Sequence, residues 1–176
     1  MRFAPYGPYK LPEQNHEIDD QQKSAFWDRV SKENPSIPGG VGCYIFAIRA
    51  AKGYRPWYVG KTERQCFRDE TWQPGKLLLY QRVLKQHKGT PVLFLLAKKS
   101  PKDHFVRPTI RQRVRGSISE LERMLIATCK QRNSKLLNKM HTKYGTIYVP
   151  GYLNEKAGAR TKNAKSLARL LRTGEA

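Results

Sequence analysis

At 176 residues the chain has room for one ordinary domain with extensions. Its 34 Lys and Arg against 14 Asp and Glu give a net charge of +20, a self-repulsion tolerated mainly where the usual partner is a polyanion. Three cysteines (Cys43, Cys66 and Cys129) without a Cys-x-x-Cys pair argue against a disulfide framework and a cysteine-rich zinc site.

The charge is unevenly placed. Residues 1–40 are close to neutral, at −1, and residues 41–176 carry +21. No apolar run is long enough to span a bilayer, and none follows Met1 as a signal region. A cytoplasmic chain with buried, reduced thiols and no membrane partner is the expectation.

In chain order, residues 1–18 are rich in proline and lack periodicity, which reads as an extended arm. Asp19 to Lys32 predicts a short helix with Ala25, Phe26 and Trp27 as its apolar content. The Pro/Gly stretch from Asn34 to Gly40 breaks the chain. It divides an N-terminal extension (1–38) from a central domain (39–140) and a basic C-terminal extension (141–176).

Val41 to Ala50 is rich in β-formers and predicts a strand; after a turn, Pro56 to Lys61 predicts a second. Thr62 with Gln65 three residues on has the form of a capping box, so a helix should start there. A further helix is expected from Gly75 to His87. The apolar run Val92 to Ala97 suits a strand buried on both faces. Lys98 to Arg115 reads as a basic loop, and Ser117 with Glu120 as a second capping box opening a helix to Arg132. A basic helix over 159–172 closes the chain. The fold class is α/β in the α+β sense, a small three-stranded, mainly antiparallel sheet flanked by helices.

Tyr44 and Tyr58 would face each other in a hairpin centred on Ala51, as cross-strand partners on one face. Gly42 and Gly60 lie two residues outside them and allow close backbone approach. Such a pair serves equally well to stabilise a sheet. On the long helix, at about 100° per residue, Ile118, Leu121, Leu125, Ile126 and Cys129 form one apolar stripe, and Glu122 lies inside it. A carboxylate there needs an ion-pair partner or a metal. Glu120 points the other way. His16, His87, His104 and His141 have no metal-ligand spacing, and no histidine–asparagine–histidine nuclease core can be assembled.

These residues resemble the GIY-YIG nuclease family. Gly42-Cys43-Tyr44 and Tyr58-Val59-Gly60 look like the two halves of its signature, and Lys61 directly after the second half is common there. Arg68, ten residues after Tyr58, sits where the family keeps an arginine that contacts phosphate; Glu122 matches its metal-binding glutamate, and Asn138 its closing asparagine. Asn133 competes for that last role. Cys43 replaces the usual isoleucine and should point away from the Tyr44 face.

The resemblance implies a metal-dependent endonuclease that hydrolyses phosphodiester bonds, of DNA more readily than RNA. Glu122 would hold one Mg²⁺ or Mn²⁺ ion. Tyr44 would be the general base or its relay, with a phenol depressed by Lys61, Arg68 and the metal. Tyr58 would position water or phosphate, and Arg68 would stabilise transition-state charge. Basic side chains expected to meet the nucleic acid are Lys61, Arg68, Lys98, Lys99 and Arg115, with Arg111 and Arg113 beside them. Arg160, Lys162 and Lys165 would do so from the C-terminal helix. The alternative is a non-catalytic, basic nucleic-acid-binding protein in which the tyrosines and Glu122 are structural.

Overall fold

A computed structural model describes residues 2–12, 18–51, 53–110, 112–141 and 161–163. The expected helix over 159–172 therefore lies almost entirely outside the described residues, as do Arg111, Arg160, Lys165 and the side chain of Arg113.

The elements run β1 (Arg2–Lys10), α1 (Asp20–Glu33), β2 (Gly42–Ala50), β3 (Gly53–Thr62), α2 (Phe67–Glu70), α3 (Pro74–Gln86), β4 (Thr90–Lys99) and α4 (Gln112–Arg132). The fold is α+β, with an antiparallel sheet flanked by helices. The sheet has four strands rather than three, in the order β1-β4-β2-β3. The extra strand is the N-terminal arm, which pairs with β4 from Arg2 opposite Lys99 to Lys10 opposite Val92. Pro5 and Pro8 cannot donate to a ladder; a sheet accepts such residues on an edge strand or at a bulge, and Pro8 lies in the slip between Tyr6 and Tyr9. Gly7 takes a φ of +95° where the register slips between Tyr6 and Tyr9. A Cβ there would sit 2.7 Å from the Leu93 carbonyl oxygen.

Side-chain alternation divides β2 between two cores. Tyr44, Phe46 and Ile48 point to one face, where Phe26, Trp27 and Val30 of α1 and Tyr80 and Val83 of α3 join Leu93 and Leu95 in the main core. Cys43 and Ile45 point to the other face, where α4 lays down Ile118, Leu125, Ile126 and Cys129. Asp19 caps α1 reciprocally with Gln22, as a capping box should.

Two local starts differ from expectation. The Thr62 hydroxyl bonds to the Gln65 carbonyl and closes a turn, and the helix that follows begins only at Phe67. Lys98 and Lys99 belong to β4, the loop is confined to the residues after them, and α4 already runs from Gln112. Ser117 is thus a buried mid-helix residue, and its hydroxyl accepts from the Lys98 ammonium instead of capping. Glu120 is exposed, but on the helix body.

The outer edge of β3 is covered by side-chain amides. Asn138 uses both ends of its amide on one residue, accepting from the Val59 N–H at 2.9 Å and donating to the Val59 carbonyl at 2.8 Å. Asn133 donates to the Pro56 carbonyl at 2.8 Å, and the Leu137 N–H donates to the Trp57 carbonyl at 2.9 Å.

Candidate active site

Tyr44 and Tyr58 are not directly opposed. Tyr44 pairs with Gly60, and Phe46 with Tyr58; the register then shifts, so that Ala47 pairs with Pro56 and Trp57 is the extra residue. A bulge of this kind leaves two residues of one strand facing one of the other. It turns Trp57 and Tyr58 toward the same core, Trp57 stacking on His87 at 4.2 Å between ring centroids. The two tyrosines are diagonal neighbours on the α3 side of the sheet, with ring centroids 6.2 Å apart and planes tilted by 48°.

The diagonal placement explains one glycine of the pair. Tyr44 lays its ring across Gly60: a Cβ at Gly60 would come within 2.7 Å of Tyr44 Cε1 and closer still to Cζ and Oη. Gly42 serves a different contact, since a Cβ there would run into the Leu96 carbonyl of β4. One glycine makes room for a phenol, and the other lets two strands pair.

Tyr44 is fully buried, and its hydroxyl has no hydrogen-bond partner among the described residues. Burial pushes its phenol well above the ordinary value, and Tyr80, Tyr58, Glu70 and Glu122 all push in the same direction. The expected depression by Lys61 and Arg68 does not occur. The reason is geometric: Lys61 alternates with Gly60 along β3, so its side chain leaves on the α4 side. Arg68 is an exposed residue of α2, without a side-chain partner among the described residues.

Tyr58 is better connected. Lys76, in the first turn of α3, donates from Nζ to Tyr58 Oη at 2.9 Å, and the ammonium lies 5.1 Å from the centroid of the same ring. Glu70, at the end of α2, pairs with Lys76 at 3.7 Å and accepts from Gln73 Nε2 at 3.2 Å. Burial raises the Glu70 carboxyl; Lys76 offsets part of that and Glu122 adds to it. Among the expected residues only the two phenols appear in this cluster. Lys76 and Glu70 carry no motif by which a sequence could betray them.

On the α4 side the Lys61 ammonium is held by three oxygens. It donates to Ser119 Oγ at 2.6 Å and pairs with Glu63 at 3.2 Å and Glu122 at 3.6 Å. Glu63 also accepts from Arg115 Nε at 3.1 Å and from Ser119 Oγ at 2.8 Å. Burial alone would raise the Glu63 carboxyl, but bonds from Ser119, Arg115 and Lys61 outweigh it and hold it below the usual range. Glu122, with a side chain only 14% exposed, has fewer partners. Burial raises its carboxyl, and Lys61 and His141 reverse only part of the rise. Arg115, Ser119 and Lys61 line an open cleft of about 260 Å³ with Glu63, Glu120 and Arg123.

The resemblance implies one shared face for Tyr44, Tyr58, Arg68 and Glu122, and the structure does not have it: Lys61 leaves β3 on the α4 side and holds Glu122 there, while both phenols lie on the α3 side. Across the sheet, Glu122 adds only the smallest of the upward pushes on Tyr44 and Glu70. The remaining expected residues fall elsewhere. Asn138 pins the backbone of Val59, between Tyr58 and Gly60, and Asn133 pins Pro56, so the two asparagines divide one task. Lys98 and Lys99 are buried, the first against Ser117 and the Phe3 ring. Lys99 donates to the Asp103 carbonyl at 3.1 Å and lies 3.6 Å above the Phe105 ring. Buried in β4, neither ammonium is presented to a nucleic acid, contrary to what the resemblance and a basic loop imply. Lys162 is exposed.

Among the described residues no group of three or more His, Cys, Asp or Glu converges as a metal site. A single carboxylate makes a weak site for a hard cation that keeps most of its water, and the substrate phosphate would have to complete it. The burial-raised Glu122 carboxyl is compensated only in part by Lys61, and added positive charge would complete that compensation. With a phosphate completing the shell, the donor set would take one divalent ion. No family model, curated protein or solved structure matches the chain, and no helix among the described residues is long and apolar enough to cross a membrane.

Proposed function

We propose that the chain is a divalent-metal-dependent endonuclease of the GIY-YIG type that hydrolyses phosphodiester bonds, of DNA in preference to RNA. One observation carries the reading: Tyr44 packs across Gly60 beside Tyr58, with Lys61 and Glu122 at the same end of β3. These are the positions that the sequence resemblance singles out, in a chain of charge +20.

Glu122 would hold the metal ion, which when bound supplies a Lewis acid for the phosphate. Every other part falls to the chain's own groups. Arg68, exposed and without a partner among the described residues, is available to a phosphate oxygen as a planar fork. Without a metal ion, burial holds the Tyr44 phenol well above its ordinary value, so the chain's own groups do not make it an ionised base. The resemblance gives Tyr44 Oη the part of a relay, which requires a bound water or phosphate oxygen to take the phenol proton as the phenol accepts another. Tyr58 Oη accepts from Lys76 and has its own proton left to orient water or a phosphate oxygen.

The test is to incubate the protein with supercoiled plasmid and with single-stranded DNA or RNA, in Mg²⁺, Mn²⁺ or EDTA. Nicking that needs the cation is the expected result. Binding without nicking would instead support a non-catalytic, basic nucleic-acid-binding protein. That second reading draws on the complete burial of Tyr44 and on the pairing of Glu122 with Lys61, both of which suit a structural role.

A further inference from the structure

Lys76 is hydrogen-bonded to one of the two phenols on the α3 side, and neither the resemblance nor any motif assigns it a part. Its ammonium is a donor only. The 2.9 Å bond to Tyr58 therefore consumes an Oη lone pair and fixes the direction in which the Tyr58 proton points. The cation is itself held from behind. Glu70 lies 3.7 Å from Nζ and is steadied by Gln73, so the order Gln73, Glu70, Lys76, Tyr58, Tyr44 runs from the α2–α3 junction to the sheet. Both carriers of charge are largely shielded, the Lys76 side chain 23% exposed and that of Glu70 19%. Shielded, charge-assisted bonds of this kind hold geometry more firmly than exposed ion pairs do. A cation that served only solubility would extend into water; this one turns inward over a ring.

We propose that Lys76, backed by Glu70, is a positioning residue for phosphodiester cleavage: it orients the Tyr58 hydroxyl toward the scissile phosphate or its attacking water. The proposal rests on the nuclease reading above, and the experiment separates the two failures. Lys76→Met and Lys76→Arg are compared with wild type by plasmid nicking and by ¹³C NMR of Cζ-labelled tyrosine. The Tyr58 resonance is assigned by its loss in Tyr58→Phe.

Lys76→Met should lower kcat by roughly 10- to 100-fold, as expected when a hydrogen bond from a charged donor is lost at a reacting group. KM for DNA should hold, and the Tyr58 resonance should move. Lys76→Arg should recover most of the rate and return the resonance toward its wild-type position. A Tyr58 resonance unmoved in Lys76→Met overturns the proposal whatever the nicking shows. A moved resonance with unchanged kcat overturns the catalytic part and leaves the nuclease reading intact. Wild type that binds but never nicks overturns both.

Discussion

Replacing Tyr44 with phenylalanine separates chemistry from packing at one atom. The ring of Tyr44 is fully buried beneath α3 and across Gly60, while its hydroxyl has no partner among the described residues. A buried hydroxyl without a hydrogen bond costs the folded state desolvation energy, up to about 1 kcal/mol net once the loss of the oxygen's own packing contacts is set against it. Removing it keeps every apolar contact and removes that cost. Tyr44→Phe should therefore be as stable as wild type, or more stable by up to about 1 kcal/mol. For a chain of this size that is a rise in Tm of up to about 2–4 °C. Tyr58→Phe is the counterpart: it strips Lys76 of its 2.9 Å acceptor and should cost about 1–2 kcal/mol. Urea denaturation followed by circular dichroism measures both, with equal m-values confirming that the same surface unfolds. Nicking should fall about 100-fold or more in Tyr44→Phe, the cost of losing one preorganised polar contact to the reacting group. If Tyr44→Phe is the less stable of the two variants, the hydroxyl has a partner and its burial is misread. If it nicks as fast as wild type, Oη takes no part in the chemistry.

Glu122→Gln should abolish nicking by about 100-fold or more while binding survives. Burial raises this carboxyl, so its contribution to stability is fullest below the usual carboxylate range and is lost as pH rises through the raised value. The metal-free variant should therefore resist urea better than wild type at pH 7, with the gain vanishing toward acid. Glu63→Gln should do the opposite. Its depressed carboxyl stabilises the fold above the usual range and less as pH falls through the lowered value. A loss of about 1–3 kcal/mol at neutral pH, shrinking below pH ~4, is expected from denaturation curves taken across pH. Gly60→Ala forces a methyl into the Tyr44 ring and should cost about 1–3 kcal/mol by overpacking, read as a lowered denaturation midpoint. DNA affinity measured by fluorescence anisotropy should fall steeply with salt, with a log–log slope several units negative. A flat response would mean that phosphate contacts are few.

The legible parts of the fold were those in which one local signal dominated. β2 and β4 are stretches of β-formers, and α1 and α3 have caps or a proline at the start. The missed strand, β1, has prolines where a central strand cannot, and only its place at the edge of β4 makes it a strand. Centring the hairpin on Ala51 assumed an unbroken ladder; Pro56, without an N–H, stands where the register slips, and the tyrosines become diagonal. Ser117 and Glu120 imitate a cap because their spacing is right, but the buried ammonium of Lys98 claims the serine. At the site, Glu122 was visible as a charge inside an apolar stripe. The direction of the Tyr44 shift was not, because it depends on which side of the sheet Lys61 takes. Lys76 and Glu63 are ordinary surface-type residues in sequence, and only the folded chain gives them partners.

The two borders of the sheet are finished by different means. At β1, Pro5, Pro8 and the kink at Gly7 deprive a second chain of a regular ladder. At β3, Asn133, Leu137 and Asn138 occupy the backbone groups that another strand would seek. If a chain of charge +20 gathers on a polyanion as proposed, it does so at high local density, the condition under which open sheet edges pair between molecules. With the middle of β3 occupied and β1 broken by prolines, molecules crowded side by side on such a template would find no long regular ladder to share.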